Sequence, residues 1–295
     1  MKRFNKVAVL MGGPSTEREV SLCSGRAVAR GLHVAGYDVT EIDIDSHELN
    51  IPEKIEAVFI ALHGEFGEDG QVQKLLEQRG LPYVGSGPEA SKAAFDKRIS
   101  KRIFVENGIP TPEYEILGKG DEKTLRFPVV IKPACQGSTI GVHRVLSESE
   151  WENARKDTLS YGEEMIVESY IEGQEVTVGI VGNEALPVIE IVAPDGWYSY
   201  NAKYTKGVCR YLVPAPIDAM LYRACQDIAL RTFEALGCRG FARVDFRISD
   251  SDDLYVLELN NIPGFTETSL LPKAAAEMGM GFSELCDRIM AMALP

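Results

Sequence analysis

GFARVDFRISDSDDLYVLELN, residues 240–260, holds two β-rich runs on either side of the polar segment Ser249–Asp253. Such a segment between two runs of strand formers signals a hairpin. Pairing across that turn is expected to set Asp245 opposite Glu258 and Arg243 opposite Asn260. Side chains alternate along a strand, so these four then share one face. Two carboxylates directly opposite each other repel, and a divalent cation between them would reverse the sign. Asp, Glu and Asn offer only oxygen, the donor set of magnesium rather than zinc. Taken alone, the same face also reads as the solvated side of an edge hairpin. The next residues shift that balance. Asn260–Gly264 forms a turn, and Thr266, Thr268 and Ser269 follow. Hydroxyls and a glycine amide beside paired carboxylates suit an oxyanion.

At the amino terminus the run KVAVLM (6–11) predicts a buried strand, and Gly12 and Gly13 a tight turn. A helix should follow, with Thr16 and Glu19 spaced as a capping box and Val20, Cys23, Ala27 and Val28 on one stripe. Residues 38–44 alternate like a strand, 57–62 form an apolar strand, a helix spans about 70–79, and a short strand lies near 82–84. Alternating strands and helices predict a parallel sheet covered on both faces. Ligands on such sheets sit at the carboxyl ends of the strands, where Gly12, Gly13 and His63 fall. A boundary falls near 85–95, where small residues cluster, and a helix surrounds Lys97. Strands at 127–132, 164–171 and 175–181, with a glycine-rich loop CQGSTIGV (135–142) and a helix at 147–158, predict an α+β second lobe with an antiparallel sheet. The remainder holds more strands, a helix near 218–236, the hairpin and a terminal helix.

A chain of 295 residues suits two or three lobes. The net charge of −13 disfavours a long nucleic acid, which needs a basic face. A small anionic ligand stays compatible if a few lysines and arginines converge. No run of about 18 apolar residues is present, so no membrane association is expected, and the short apolar stretch at 7–11 does not make a signal peptide; we expect a cytoplasmic protein. The six cysteines match no zinc spacing and read as reduced thiols.

Several stretches together resemble D-alanine–D-alanine ligases of the ATP-grasp superfamily: MGGPSTEREVSL (11–22), ALHGEFGEDG (61–70), VVIKPACQGSTIGV (129–142), NAKY (201–204) and ARVDF with LELNNIPGFTETSLLP. They run in the family's order from about residue 6 to the end. Asn261-Ile262 before Pro263, Phe265, and Cys135-Gln136 depart from the pattern. The resemblance implies α/β and α+β lobes in a three-lobed ATP-grasp architecture with an N-terminal Rossmann-like lobe. The divisions are 1–93, 94–179 and 180–295, with the glycine-rich flap in the second. It implies ligation of two D-alanine molecules through an acyl phosphate, with ATP and magnesium (two ions, manganese as a substitute), for peptidoglycan synthesis, and a homodimer.

By the same resemblance, Lys97, Lys132 and Lys203 face ATP, Glu168, Tyr170 and Ile171 edge the adenine, and Glu175 takes the ribose hydroxyls. Asp245, Glu258 and Asn260 hold the metal. Glu17 takes the first substrate's ammonium, and Ser138 and Tyr204 relay to it. Arg243 and the Gly264 amide form the oxyanion hole, Ser269 and Leu270 receive the second substrate's carboxylate, and His63 lies near the substrates. The loop 196–212 reads as a lid. Tyr204 favours D-alanine as second substrate. A ligase using D-lactate or D-serine, a phosphotransferase and a non-enzymatic nucleotide-binding regulator stay open on sequence alone.

Overall fold

The structure, a computed structural model, describes residues 2–198, 203, 205 and 207–294. Three sheets organise it. The first has the order β2-β1-β3, with β1 (Lys6–Gly12), β2 (Asp38–Ile44) and β3 (Ala57–Ile60) all parallel. Tyr83 adds a single parallel bridge to Val58, all that forms of the expected strand near 82–84. Alternation along β1 explains the two covered faces. Val7, Val9 and Met11 pack with Leu22, Val28 and Leu32 of α1 (Arg18–Val34). Ala8 and Leu10 point the other way, to Val72 and Leu76 of α2 (Gln71–Gln78). Gly12 and Gly13 both have positive φ, 86° and 89°, which only glycine adopts without cost.

The expected Thr16 capping box does not form. α1 begins at Arg18 with Glu17 as N-cap and no side-chain cap. Ser15 takes the local role instead. Its Oγ accepts from the Glu17 amide at 3.2 Å and donates to the His63 carbonyl at 2.6 Å, which leaves the Glu17 carboxylate to point across the cleft.

The second sheet is antiparallel in the order β4-β7-β5-β6: β4 (Tyr114–Gly118), β5 (Val129–Pro133), β6 (His143–Val145) and β7 (Glu164–Ser169). Val129, Ile131, Met165 and Val167 bury against Trp151 and Ala154 of α5 (Glu148–Thr158). The alternate residues, Val130, Lys132 and Glu168, line a cleft on the opposite face. Before this sheet come α3 (Pro88–Phe95) and α4 (Lys97–Glu106).

The third sheet runs β11-β10-β8-β12-β13, with β9 (Glu184–Ala185) against β8. Its strands are β8 (Gly173–Val181), β10 (Ile189–Val192), β11 (Arg210–Leu212), β12 (Phe241–Ser249) and β13 (Leu254–Asn260). Val176, Val178, Val244, Phe246 and Val256 pack with Cys225, Ala229 and Phe233 of α6 (Ala219–Ala235). The strand at 175–181, expected in the second lobe, pairs along its length with β12. A division at 179/180 therefore cuts through β8, and the change of sheet falls between Ser169 and Gly173. Its physical reason is that Val176 and Val178 need the apolar cover of α6, which only the third sheet supplies.

Two short helices close the chain, α7 (Leu270–Glu277) and α8 (Phe282–Met290). Leu285, Cys286 and Ile289 share one core with α1, and Phe59, Phe241 and Phe265 join the first and third sheets by ring contacts of 5.6–5.8 Å between centroids. No helix among the described residues is long and apolar enough to cross a membrane.

Candidate active site

Period-two alternation on β12 sends Val244 and Phe246 into the core and Arg243, Asp245 and Arg247 to the cleft. On neighbouring β8, Thr177 pairs with Asp245 and Glu175 with Arg247. On β13, Glu258 pairs with Asp245 and Asn260 with Arg243. The expected register is met, but through a bulge: Phe246 pairs with Val256, so Leu257 is an extra residue in β13.

Asp245 accepts four hydrogen bonds. Its Oδ1 accepts from Arg243 Nε at 2.8 Å and Thr177 Oγ1 at 2.6 Å. Its Oδ2 accepts from Arg243 Nη2 at 2.7 Å and Asn260 Nδ2 at 3.0 Å. Glu258 Oε2 lies 3.4 Å from Lys97 Nζ. Burial pushes the Glu258 carboxyl up, but Lys97, Lys203, Lys132 and Arg243 outweigh it and hold it at about 2. The repulsion expected between the two carboxylates is thus already offset by Arg243 and Lys97, and does not by itself demand a metal. The donor set still fits magnesium. Asp245 and Glu258 pair across the two strands and offer oxygen only, and the surrounding lysines hold Glu258 as the anion. Among the described residues no group of three His, Cys, Asp or Glu converges. A cation here would complete its shell from the Asn260 amide and from ligand oxygens.

Two clefts meet over β12. The first lies between the second and third sheets and is lined by Lys97, Lys132, Glu168, Tyr170, Ile171, Glu175, Asp245 and Glu258. The second lies toward the first sheet and is lined by Glu17, His63, Ser138, Arg243, Asn260, Gly264, Ser269 and Leu270. Gly137, Tyr198 and Lys203 line both. The positions singled out from the sequence therefore gather around one continuous space. Tyr204 lies outside the described residues, as do 199–202 and 206 of the expected lid.

The glycine-rich loop spans the two clefts. Lys97 Nζ donates to the Gln136 carbonyl at 2.7 Å, and Ser138 Oγ donates to Glu17. A Cβ on Gly137 would lie 2.8 Å from Glu17 Oε2, so any side chain there would displace the Glu17 carboxylate. Ser138 and Thr139 both have positive φ, 53° and 62°, a conformation costly for a β-branched residue. The loop is held against α1 despite that local cost.

His63 is buried with both ring nitrogens engaged, Nε2 to Ser24 Oγ at 3.0 Å and Nδ1 to the Ile262 carbonyl at 3.1 Å. Its neighbour Glu68 is pushed up by burial, with His63 opposing and Glu17 reinforcing the shift. Ser269 is the N-cap of α7, without a side-chain cap bond; its Oγ accepts from the Thr266 amide at 3.0 Å, and Ser269 and Leu270 line the second cleft.

Sequence reasoning passed over two cations. Lys101 is fully buried, 2.5 Å from Glu168 Oε1, while Lys132 lies 2.6 Å from Glu168 Oε2. Its signal was the four-residue spacing from Lys97 along α4. Arg247 continues the alternation of Arg243 and Asp245, and its guanidinium lies 3.4 Å from Glu175.

The family model described as D-ala D-ala ligase C-terminus matches residues 103–291, and that described as D-ala D-ala ligase N-terminus matches residues 45–86. A D-alanine--D-alanine ligase of Syntrophotalea carbinolica is 49% identical over 97% of this chain and 95% of its own length. One of Methylacidiphilum infernorum is 45% identical over 96% and 94%. Among solved structures, D-alanine--D-alanine ligase from Bacillus anthracis complexed with ATP matches with a TM-score of 0.85 at 33% identity, covering 98% of this chain and 97% of that one. VanG D-Ala:D-Ser ligase from Enterococcus faecalis matches with a TM-score of 0.86 at 29% identity, covering 98% and 99%. Likeness in sequence and fold over nearly the whole length, with two clefts joined over β12, places this chain in the D-alanine–D-alanine ligase family.

Proposed function

We infer that this chain joins two D-alanine molecules into D-alanyl-D-alanine, consuming ATP and releasing ADP and phosphate, and so supplies the dipeptide for peptidoglycan precursors. The observation that carries this reading is the pair of clefts meeting at Arg243, Asp245 and Lys203. A basic nucleotide site opens directly onto a site for small zwitterions.

Lys97, Lys132 and Lys203 draw the phosphates into the first cleft as point charges. Glu168, Tyr170 and Ile171 edge the adenine, and Glu175 accepts from the ribose hydroxyls. Asp245, Glu258 and Asn260 would hold magnesium, as two ions or with manganese in its place. That metal supplies neutralisation of charge on the transferring phosphoryl group. In the second cleft Glu17 holds the ammonium of the first D-alanine, oriented by Ser138 and Tyr204, and His63 shapes the wall. The first carboxylate attacks the γ-phosphorus, giving an acyl phosphate and ADP. Ser269 and Leu270, at the amino end of α7, receive the carboxylate of the second D-alanine, where the helix dipole favours an anion. Its amine attacks the acyl carbon, and Arg243 with the Gly264 amide stabilises the oxyanion before phosphate leaves.

The lobes of this reading are 1–93, a central lobe ending near residue 170, and the remainder. The protein works as a cytoplasmic homodimer. D-Alanine as second substrate rests on the resemblance at Tyr204. Phosphate release measured with D-alanine, L-alanine, D-serine and D-lactate, with the product mass determined, tests the substrate assignment. We expect release with D-alanine and the mass of the dipeptide; release independent of D-alanine would remove the reading.

A further inference from the structure

Arg247 is buried, 6% exposed, and each of its guanidinium nitrogens is engaged. Nε donates to the Ile171 carbonyl at 3.0 Å. Nη1 donates to the Gly196 carbonyl at 3.2 Å and to Glu175 Oε2 at 3.4 Å. Nη2 donates to the Gly173 carbonyl at 3.0 Å and to Tyr170 Oη at 3.4 Å. The guanidinium carbon also lies 5.6 Å from the Tyr170 ring centroid. An arginine has five N–H donors, and five acceptors surround this one.

That census separates Arg247 from Lys97, Lys132 and Lys203, which also line the first cleft. Its N–H groups are committed to protein acceptors, so it is not a phosphate clamp. The acceptors belong to the residues that build one wall: Tyr170, Ile171 and Gly173 form the connection between the second and third sheets, Gly196 ends the turn beyond β10, and Glu175 is Arg247's register partner on β8. A lysine has three donors on one atom and cannot span these directions.

We propose that Arg247 is the positioning residue of the ribose pocket: its planar fork fixes the Glu175 carboxylate and the 170–173 connection as one preformed edge for the nucleotide sugar. This rests on the assignment of Glu175 to the ribose hydroxyls. Glu175 supplies the acceptor, and Arg247 sets where that acceptor stands.

The test compares Arg247→Lys, Arg247→Met and Glu175→Gln with the parent. Equilibrium binding of ATP and of 2′-deoxy-ATP is measured by calorimetry, and KM for ATP and for D-alanine by phosphate release. The inference predicts that both Arg247 variants weaken ATP binding about tenfold or more. Both also reduce the preference for ATP over 2′-deoxy-ATP to the level of Glu175→Gln, while the D-alanine KM moves much less. Arg247→Lys keeps the charge, so it carries the test if Arg247→Met fails to fold. Arg247→Lys with parental ATP affinity and parental preference, beside a Glu175→Gln variant that has lost it, overturns the proposal and leaves the ribose assignment standing. Parental preference in Glu175→Gln overturns the ribose assignment itself.

Discussion

Asp245 and Glu258 face each other across β12 and β13 because Leu257 is an extra residue in the second strand. Ser249 and Asp253 close the turn by a 2.9 Å backbone bond, and strict pairing from that turn would set Asp245 against Leu257. The bulge restores the opposition and sends Glu258 to the cleft. Glu258→Gln keeps the shape and removes the charge. It should lower turnover by roughly 10²–10³-fold with circular dichroism and thermal unfolding little changed. Parental turnover would refute a role for this carboxylate in the chemistry.

The Ser138 hydroxyl joins the glycine-rich loop to Glu17 of the first lobe. Ser138→Ala removes that donor without touching the first cleft. The specificity constant for D-alanine should fall by about 10–100-fold, with ATP affinity by calorimetry within about twofold. An equal loss in both would place Ser138 in nucleotide binding instead.

Burial pushes the Glu175 carboxyl up to about 7, against Arg247 and Lys203 and with Asp245 adding to the rise. It is therefore largely protonated at pH 6 and ionised at pH 8, and the ionised form is the better acceptor for hydroxyls. ATP affinity should strengthen by about three- to tenfold over that interval, and Glu175→Gln should flatten the profile. In the ligand-free protein the sign is opposite. The folded carboxyl binds its proton more tightly than the unfolded one, so its contribution to stability is full below the unfolded value near 4.5 and is lost as pH rises through about 7. Thermal unfolding of parent and Glu175→Gln across pH 4–8 reads this difference.

Lys101 and Glu168 form a buried pair, both side chains at most 2% exposed. Burial pulls Lys101 down to about 8 while Glu168 holds it up; burial raises the Glu168 carboxyl, but Lys101 and Lys132 more than reverse that. Lys101→Met leaves the carboxylate with Lys132 alone and should cost about 3–5 kcal/mol in urea unfolding. Lys101→Met with Glu168→Gln should cost less than the sum of the single changes. Strict additivity would show that the pair does not interact.

Much of this was legible in the sequence because it follows from periodicity. The run at 6–11 gives β1 and its two covered faces, and alternation within each strand groups Arg243 with Asp245 and Glu258 with Asn260, while the bulge at Leu257 brings the two pairs to one side. What escaped was set by tertiary partners. The membership of β8 depends on α6 covering Val176 and Val178, which the strand's own residues do not encode. Thr16 has the spacing of a cap, yet α1 starts without a side-chain cap, and Ser15 instead bonds the Glu17 amide and the His63 carbonyl. Arg247 and Lys101 carry the correct periods, but a buried cation looks in sequence like a surface one. The roles of the nucleotide residues came from family resemblance, not from spacing.

The central claim is that the first carboxylate is activated by phosphoryl transfer before the amide forms. D-Alanine labelled with ¹⁸O in both carboxylate oxygens tests it most directly, with the released phosphate analysed by mass. One carboxylate oxygen bridges carbon and phosphorus in the acyl phosphate and leaves with phosphorus when the amine attacks. The account predicts one ¹⁸O in each phosphate and one in the new amide carbonyl. Unlabelled phosphate formed alongside labelled dipeptide would contradict it.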